Sequence, residues 1–113
     1  MVSTVVGKLK KDISTPEIIR ALFPGGTITG CPKVETMEII AELEKSSRGP
    51  YTGSLGCISA NGNLEFNILI RTLVLRDNVL SWQAGGGIVA DSDPGAEYEE
   101  TLQKAKALFE VLF

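Results

Sequence analysis

Apolar positions recur with two different periods along this chain, and the places where the period changes mark its elements. Residues 2–9 carry Val2, Thr4, Val5 and Val6, a β-prone run that begins directly after Met1, so the chain reads as cut and entered inside a strand. Thr15-Pro16-Glu17 predicts a short helix through about Phe23, with Thr15 as its cap and Pro16 at its first position. A glycine-rich loop fills residues 24–33, and Pro32 suits the start of a second helix reaching about Lys45. On that helix Glu35, Glu38 and Glu42 share one narrow face, while Val34, Met37, Ile40, Ala41 and Leu43 spread over the rest. That distribution predicts a mostly buried helix with one wet stripe.

From Tyr51 the period becomes two. Residues 54–60 and 64–75 flank Asn61-Gly62, a strong hairpin signal, and Asp77-Asn78 makes a second turn into residues 79–84. The expectation is an antiparallel β-meander. In its middle strand Phe66, Ile68, Ile70 and Val74 alternate with Leu69, Leu73 and Leu75, so both faces are apolar and both are expected to be covered. Gly85-Gly86-Gly87 ends the sheet. Asp93-Pro94 starts the last helix with Asp93 as cap, and Tyr98, Leu102, Ala105, Phe109 and Leu112 predict its core stripe. The order β-α-α-β-β-β-α is an α+β pattern with packed helices and no linker, one domain over residues 1–113.

Composition acts mainly by exclusion. A net charge of -3 argues weakly against nucleic acid, which wants a basic face. No apolar run approaches the ~20 residues of a membrane span. Lys8, Lys10 and Lys11 follow the first apolar stretch instead of preceding it, unlike a signal peptide. Cys31 and Cys57 fit no metal spacing and make no disulfide framework, so a reduced, cytoplasmic protein is expected. The chain contains no histidine, which removes His-based catalysis and His-ligated zinc from within it.

The residues able to carry chemistry point to an anion. Gly25 and Gly30 have the spacing of a phosphate-binding P-loop, but Cys31-Pro32 stand where Lys-Ser/Thr should follow. Glu97 and Glu100 are three apart on the last helix, which suits either a divalent cation or a solvated helix start. Arg71 lies in the doubly apolar strand and needs a partner there, a carboxylate being the natural one; a strand-end ion pair remains the plainer alternative. Gly85-Gly86-Gly87 exposes successive N–H groups to an anion or else makes a tight reversal. With Ile88-Val89-Ala90 it also satisfies G-x-G-x-x-A, but no helix opens there and the flanking units are antiparallel. Tyr51, between Gly49-Pro50 and Thr52-Gly53, either points a hydroxyl into a site or simply starts a strand. Together these suggest an anion site for a small carboxylated metabolite, with Glu97 and Glu100 a candidate Mg²⁺ pair or simply a solvated helix start.

Residues 24–33, Ile70-Arg71-Thr72, residues 84–92 and residues 97–101 together resemble the C-terminal part of the chorismate-utilising enzymes. That family includes anthranilate synthase component I and aminodeoxychorismate synthase component I. The resemblance is colinear and covers essentially the whole chain. It implies a four-layer α/β/β/α fold of which residues 1–113 form a C-terminal fragment. Pro-Gly-Gly-Thr-Ile-Thr-Gly and Gly-Gly-Gly-Ile-Val-Ala-Asp-Ser look more like the aminodeoxychorismate branch, while Asp91-Ser92-Asp93-Pro94 also occurs in anthranilate synthases.

The resemblance also implies roles. Glu100 matches an Mg²⁺ ligand, with Glu97 beside it in the same metal site. Arg71 and Tyr51 match residues that hold a chorismate carboxylate; Thr27, Gly85, Gly86 and Gly87 match contacts to the substrate's ring or carboxylates. The implied reaction replaces the C4 hydroxyl of chorismate with an amino group, using ammonia from a glutamine amidotransferase partner, and feeds folate synthesis. Glu35 departs from a usual Arg and Cys57 from a usual Tyr. The family's catalytic His, its remaining Mg²⁺ carboxylates and the Lys nucleophile of the aminodeoxychorismate branch would all precede Met1. The fragment alone is therefore expected to lack turnover and to self-associate through exposed apolar surface and sheet edges. A non-catalytic anion-binding domain is the rival from another class.

Overall fold

In the computed structural model, which describes residues 3–110 and residue 112, Ser14 starts the first helix. Its N–H and its hydroxyl both donate to Glu17 Oε2, at 2.8 and 2.5 Å, and these bonds hold the Glu17 carboxyl below its usual range. Helix α1 spans Thr15–Leu22, so the cap lies one residue earlier than the sequence suggested. The reason is reach: a carboxylate at the third helical position comes back to the residue just before the helix. The glycine loop folds one short helix, α2 (Gly26–Thr29), and Gly30, at φ 88°, turns the chain out of it. Helix α3 follows as Lys33–Leu43, with Pro32 at its cap.

Strand β1 (Gly56–Ile58) pairs antiparallel with β2 (Leu64–Phe66), Cys57 opposite Glu65. The hairpin continues as a looser ladder, with Thr52 N–H on the Leu69 carbonyl at 2.8 Å and Leu69 N–H on the Gly53 carbonyl at 2.9 Å. Gly56 is required for this pairing, because a Cβ there would overlap the Glu65 carbonyl and the Phe66 ring. Gly56→Ala is expected to destabilise the chain by about 1–3 kcal/mol through overpacking. The check is the denaturation midpoint, with Gly62→Asn at the hairpin tip (φ 88°, open space around it) as the mild comparison.

Strand β3 (Leu73–Arg76) pairs with β4 (Val79–Trp82) across Asp77 and Asn78, both at positive φ (51° and 59°), as a two-residue hairpin turn requires. The expected continuous middle strand is interrupted. Arg71 sits at φ 51° in the left-handed region, which breaks the extended run between β2 and β3. The meander is thus two separate two-stranded antiparallel sheets, within a mixed α+β fold with packed helices. Helix α4 spans Pro94–Phe109, and Asp93 caps it as expected, its carboxylate accepting from Ala96 N–H at 2.8 Å.

Burial departs furthest from expectation. No described residue is fully buried. Helix α3 is not mostly covered (Val34 is 71% exposed), and Phe66, Ile68, Ile70 and Leu75 of the supposed two-faced strand are exposed as well. The expected strand at 2–9 does not form over residues 3–9, and Val5 is 93% exposed; Val2 lies outside the described residues. A β-prone run becomes a strand only with a ladder partner, and none is present among the described residues. Helix α4 is rolled by one residue: Tyr98 and Leu102 are exposed, while Glu97, Thr101, Lys104 and Leu108 are half-buried. Ala105 and Leu112 stay half-buried, and Phe109 meets Trp82 with ring centroids 6.1 Å apart. The accessible surface is 9794 Å², against roughly 6,000 Å² for a folded monomer of this mass. The radius of gyration is 16.7 Å, against roughly 13 Å for a chain of this length.

Candidate functional site

Helix α4 is rolled because polar anchors hold its 97–101–104–108 face. Ser92 Oγ donates to Glu97 Oε1 at 2.5 Å and accepts from Val89 N–H at 3.1 Å, tying the segment after the glycines to the helix. Lys104 Nζ donates to the Gly85 carbonyl at 3.3 Å and pairs with Glu100 Oε1 at 2.6 Å. These bonds bring α4 against the glycine run, which follows β4 after Gln83 and Ala84. The first two glycines permit it. A Cβ on Gly86 would lie 3.3 Å from Glu97 Oε2, and one on Gly85 would lie 3.0 Å from the Tyr51 hydroxyl. Gly87 has open space around it.

Between these elements lies a cleft of ≈ 220 Å³ lined by Tyr51, Arg71, Gln83, Gly85, Lys104 and Leu108, among others. Arg71 reaches it because its left-handed backbone turns the chain between the two hairpins. The guanidinium has no ion-pair or hydrogen-bond partner among the described residues, so the expected intramolecular carboxylate is not supplied. An unpaired guanidinium and a phenol on one small concavity, with the Glu100-paired Lys104 beside them, have the chemistry to receive a carboxylate.

The cleft therefore unites Tyr51, Arg71 and Gly85; Gly86 and Gly87 do not line it, and Glu97 lies against Gly86. Thr27, exposed on α2, does not line it. Glu100 connects to it through Lys104. For a divalent cation, Glu97 and Glu100 offer two hard carboxylates on one helix, the number Mg²⁺ commonly takes beside water and ligand oxygens. The donor chemistry fits, although in this conformation Glu97 accepts from Ser92 and Glu100 from Lys104. Among the described residues no group of three or more metal-ligating side chains gathers.

Sequence reasoning missed two residues. Lys104 was legible as the fourth residue after Glu100, an i,i+4 pair on the face that also carries Glu97 and Leu108. Arg48 was legible in the same way from Glu44. Its Nε donates to both Glu44 oxygens at 2.8 and 3.1 Å, its Nη2 donates to Oε1 at 2.5 Å, and its Cζ stands 5.9 Å from the Tyr51 ring centroid. The Arg48 hydrogen bonds hold the Glu44 carboxyl below its usual range. A lowered folded-state pKa means this stabilisation is fully present above the ordinary carboxylate pKa and is lost as pH falls through the lowered one. Denaturation midpoints measured across the acid range should fall with pH, and Glu44→Gln should flatten that dependence slightly, since the pair is partly exposed.

Comparison with known proteins places these observations in a family context. Residues 1–110 match the profile of the chorismate binding enzymes. The chain is 53% identical over 112 residues to an anthranilate synthase component I-like protein of Synechocystis sp., covering 99% of this chain and 23% of the relative. It is 51% identical over 112 residues to anthranilate synthase component 1 of Aquifex aeolicus, with the same coverage. It is 49% identical over 109 residues to anthranilate synthase component 1 of Pseudomonas aeruginosa, covering 96% of this chain and 22% of the relative. The chain thus spans less than a quarter of the length of these relatives.

Proposed function

Because the chain belongs to the chorismate binding enzyme family, we propose that its cleft holds a carboxylate of chorismate, as one wall of the active site of a component I chorismate-utilising enzyme. The observation that carries this reading is the unpaired Arg71 guanidinium lining a cleft with Tyr51 and Lys104. Arg71 binds the carboxylate as a fork and Tyr51 donates its hydroxyl, while Lys104 is held beside them by its pair with Glu100. Gly85 keeps that wall free of a side chain, so backbone and ligand can approach closely.

Between the two branches, the reading favoured is anthranilate synthase component I. Its support is the kinship at 49–53% identity to anthranilate synthase component 1 proteins and a component I-like protein. The aminodeoxychorismate reading, expected from the Gly-Gly-Gly-Ile-Val-Ala-Asp-Ser stretch, stands second, with the same substrate and metal. Glu97 and Glu100 would contribute carboxylates to Mg²⁺, which when bound supplies Lewis-acid assistance to departure of the C4 hydroxyl. Ammonia from a glutamine amidotransferase subunit or domain, a cytoplasmic location and self-association of the chain belong to the same proposal. The two exposed free thiols, Cys31 and Cys57, are consistent with a reducing compartment. No helix among the described residues is long and apolar enough to cross a membrane.

The 113-residue chain is expected to bind chorismate in the presence of Mg²⁺ without converting it, since it contains no histidine to move a proton. Calorimetry tests the first half; absence of binding overturns the cleft assignment. Ammonia-dependent product formation by the chain would overturn the second half.

A further inference from the structure

We propose that Arg48, clamped by Glu44, is a positioning residue that fixes the Tyr51 ring so that its hydroxyl faces the cleft. The inference deepens the carboxylate-site reading above and rests on it for the effect on binding. Arg48 does not line the cleft itself. It reaches Tyr51 by three independent routes. Tyr51 N–H donates to the Arg48 carbonyl at 3.1 Å, closing the turn that presents the tyrosine. The guanidinium stands over the ring, with Cζ 5.9 Å from its centroid. Arg48 Nη1 donates at 3.2 Å to Thr52 Oγ1, which in turn donates to the Tyr51 carbonyl at 2.6 Å.

Glu44 makes the arrangement rigid. Its carboxylate takes bonds from Nε and Nη2, which leaves Nη1 for Thr52. A planar fork bound along one edge has its plane fixed, and a fixed plane over a phenol ring fixes the ring. The backbone agrees: Thr52 is held at φ 62°, and its N–H is anchored on the Leu69 carbonyl at 2.8 Å. The other end of the ring then meets Gly85, where even a Cβ would lie 3.0 Å from the hydroxyl. Thus α3, through the residue just beyond its end, sets the position of one cleft donor whose partner in the cleft, Arg71, comes from the hairpin connection.

The test uses the chain labelled with fluorotyrosine, read by ¹⁹F NMR, with Tyr98 as internal reference; these are its two tyrosines. Arg48→Gln is expected to move the Tyr51 resonance toward that of a solvent-exposed tyrosine and leave the Tyr98 resonance in place. Glu44→Gln, which keeps the Arg48 charge but loosens its plane, is expected to shift it part of the way, and it carries the test should Arg48→Gln fail to fold. For binding, Arg48→Gln is expected to weaken chorismate affinity about tenfold, the scale of one charge-assisted hydrogen bond. That loss should vanish in a Tyr51→Phe background, which a merely structural role would not produce. An unmoved Tyr51 resonance in both variants, or additive losses in the double variant, overturns the proposal. A wild-type chain that binds no chorismate overturns the cleft reading alone, because the resonance test stands without ligand.

Discussion

In light scattering at micromolar concentration the 113-residue chain is expected to run as a dimer or larger species. Its accessible surface is 9794 Å², roughly 3,800 Å² above that of a compact monomer of 12.1 kDa. That excess on one chain is more than the roughly 1,000–2,500 Å² per partner that obligate interfaces bury. The exposed surface is apolar where it matters. Val5, Val6 and Leu9 lie on an unpaired β-prone arm, and Val34, Leu43, Leu75 and Tyr98 cover the outer faces of three elements. Among the described residues both sheets have two strands, so each strand has one free edge able to accept another copy. Weakening the arm with Val5→Lys and Val6→Lys should shift the distribution toward monomer. A single 12.1 kDa species for the unaltered chain would remove the basis for self-association.

Arg71→Gln is expected to weaken chorismate binding by about 10- to 150-fold, corresponding to loss of charge-assisted hydrogen bonds of about 1.5–3 kcal/mol. Arg76→Gln is the matched control. It removes the same charge from β3, where Arg76 is 87% exposed and pairs with Asp77 at 3.4 Å, away from the cleft lining. Calorimetry on both variants separates the two explanations. Equal losses would mean that net charge, and not the cleft, governs affinity. Because Arg71 occupies a left-handed backbone position, glycine is a second informative replacement: it relieves the backbone and deletes the fork, so binding should fall while stability holds.

Local chemistry was legible wherever one residue and its near neighbours decide the outcome. Asp93 before Pro94 caps α4, Asp77-Asn78 makes a two-residue hairpin turn, and Asn61-Gly62 turns the other hairpin. Ser14 was missed by a single position, because Glu17 reaches back across Thr15. The break at Arg71 was not legible, since Ile70-Arg71-Thr72 has the alternation of a strand and only the backbone angle reveals the turn. The stripe on α4 was misplaced for a related reason. Periodicity counts apolar residues, but the bonds of Glu97 to Ser92 and of Lys104 to Gly85 decide which face packs.

The amino-acid order by itself determined the three longer helices, both hairpin turns, the α+β class and the family, and it singled out Tyr51, Arg71 and Gly85 of the cleft lining, because caps, turns and glycine runs act within a few residues. Only the tertiary structure decided how those residues meet. It set Tyr51 and Arg71 on one cleft, added Lys104 and the Arg48–Glu44 clamp, and left Thr27 outside the lining. It also decided burial, since side chains at helical or strand spacing are covered only when another element lies against them. In this chain many apolar positions, from Val5 to Tyr98, have no such neighbour among the described residues.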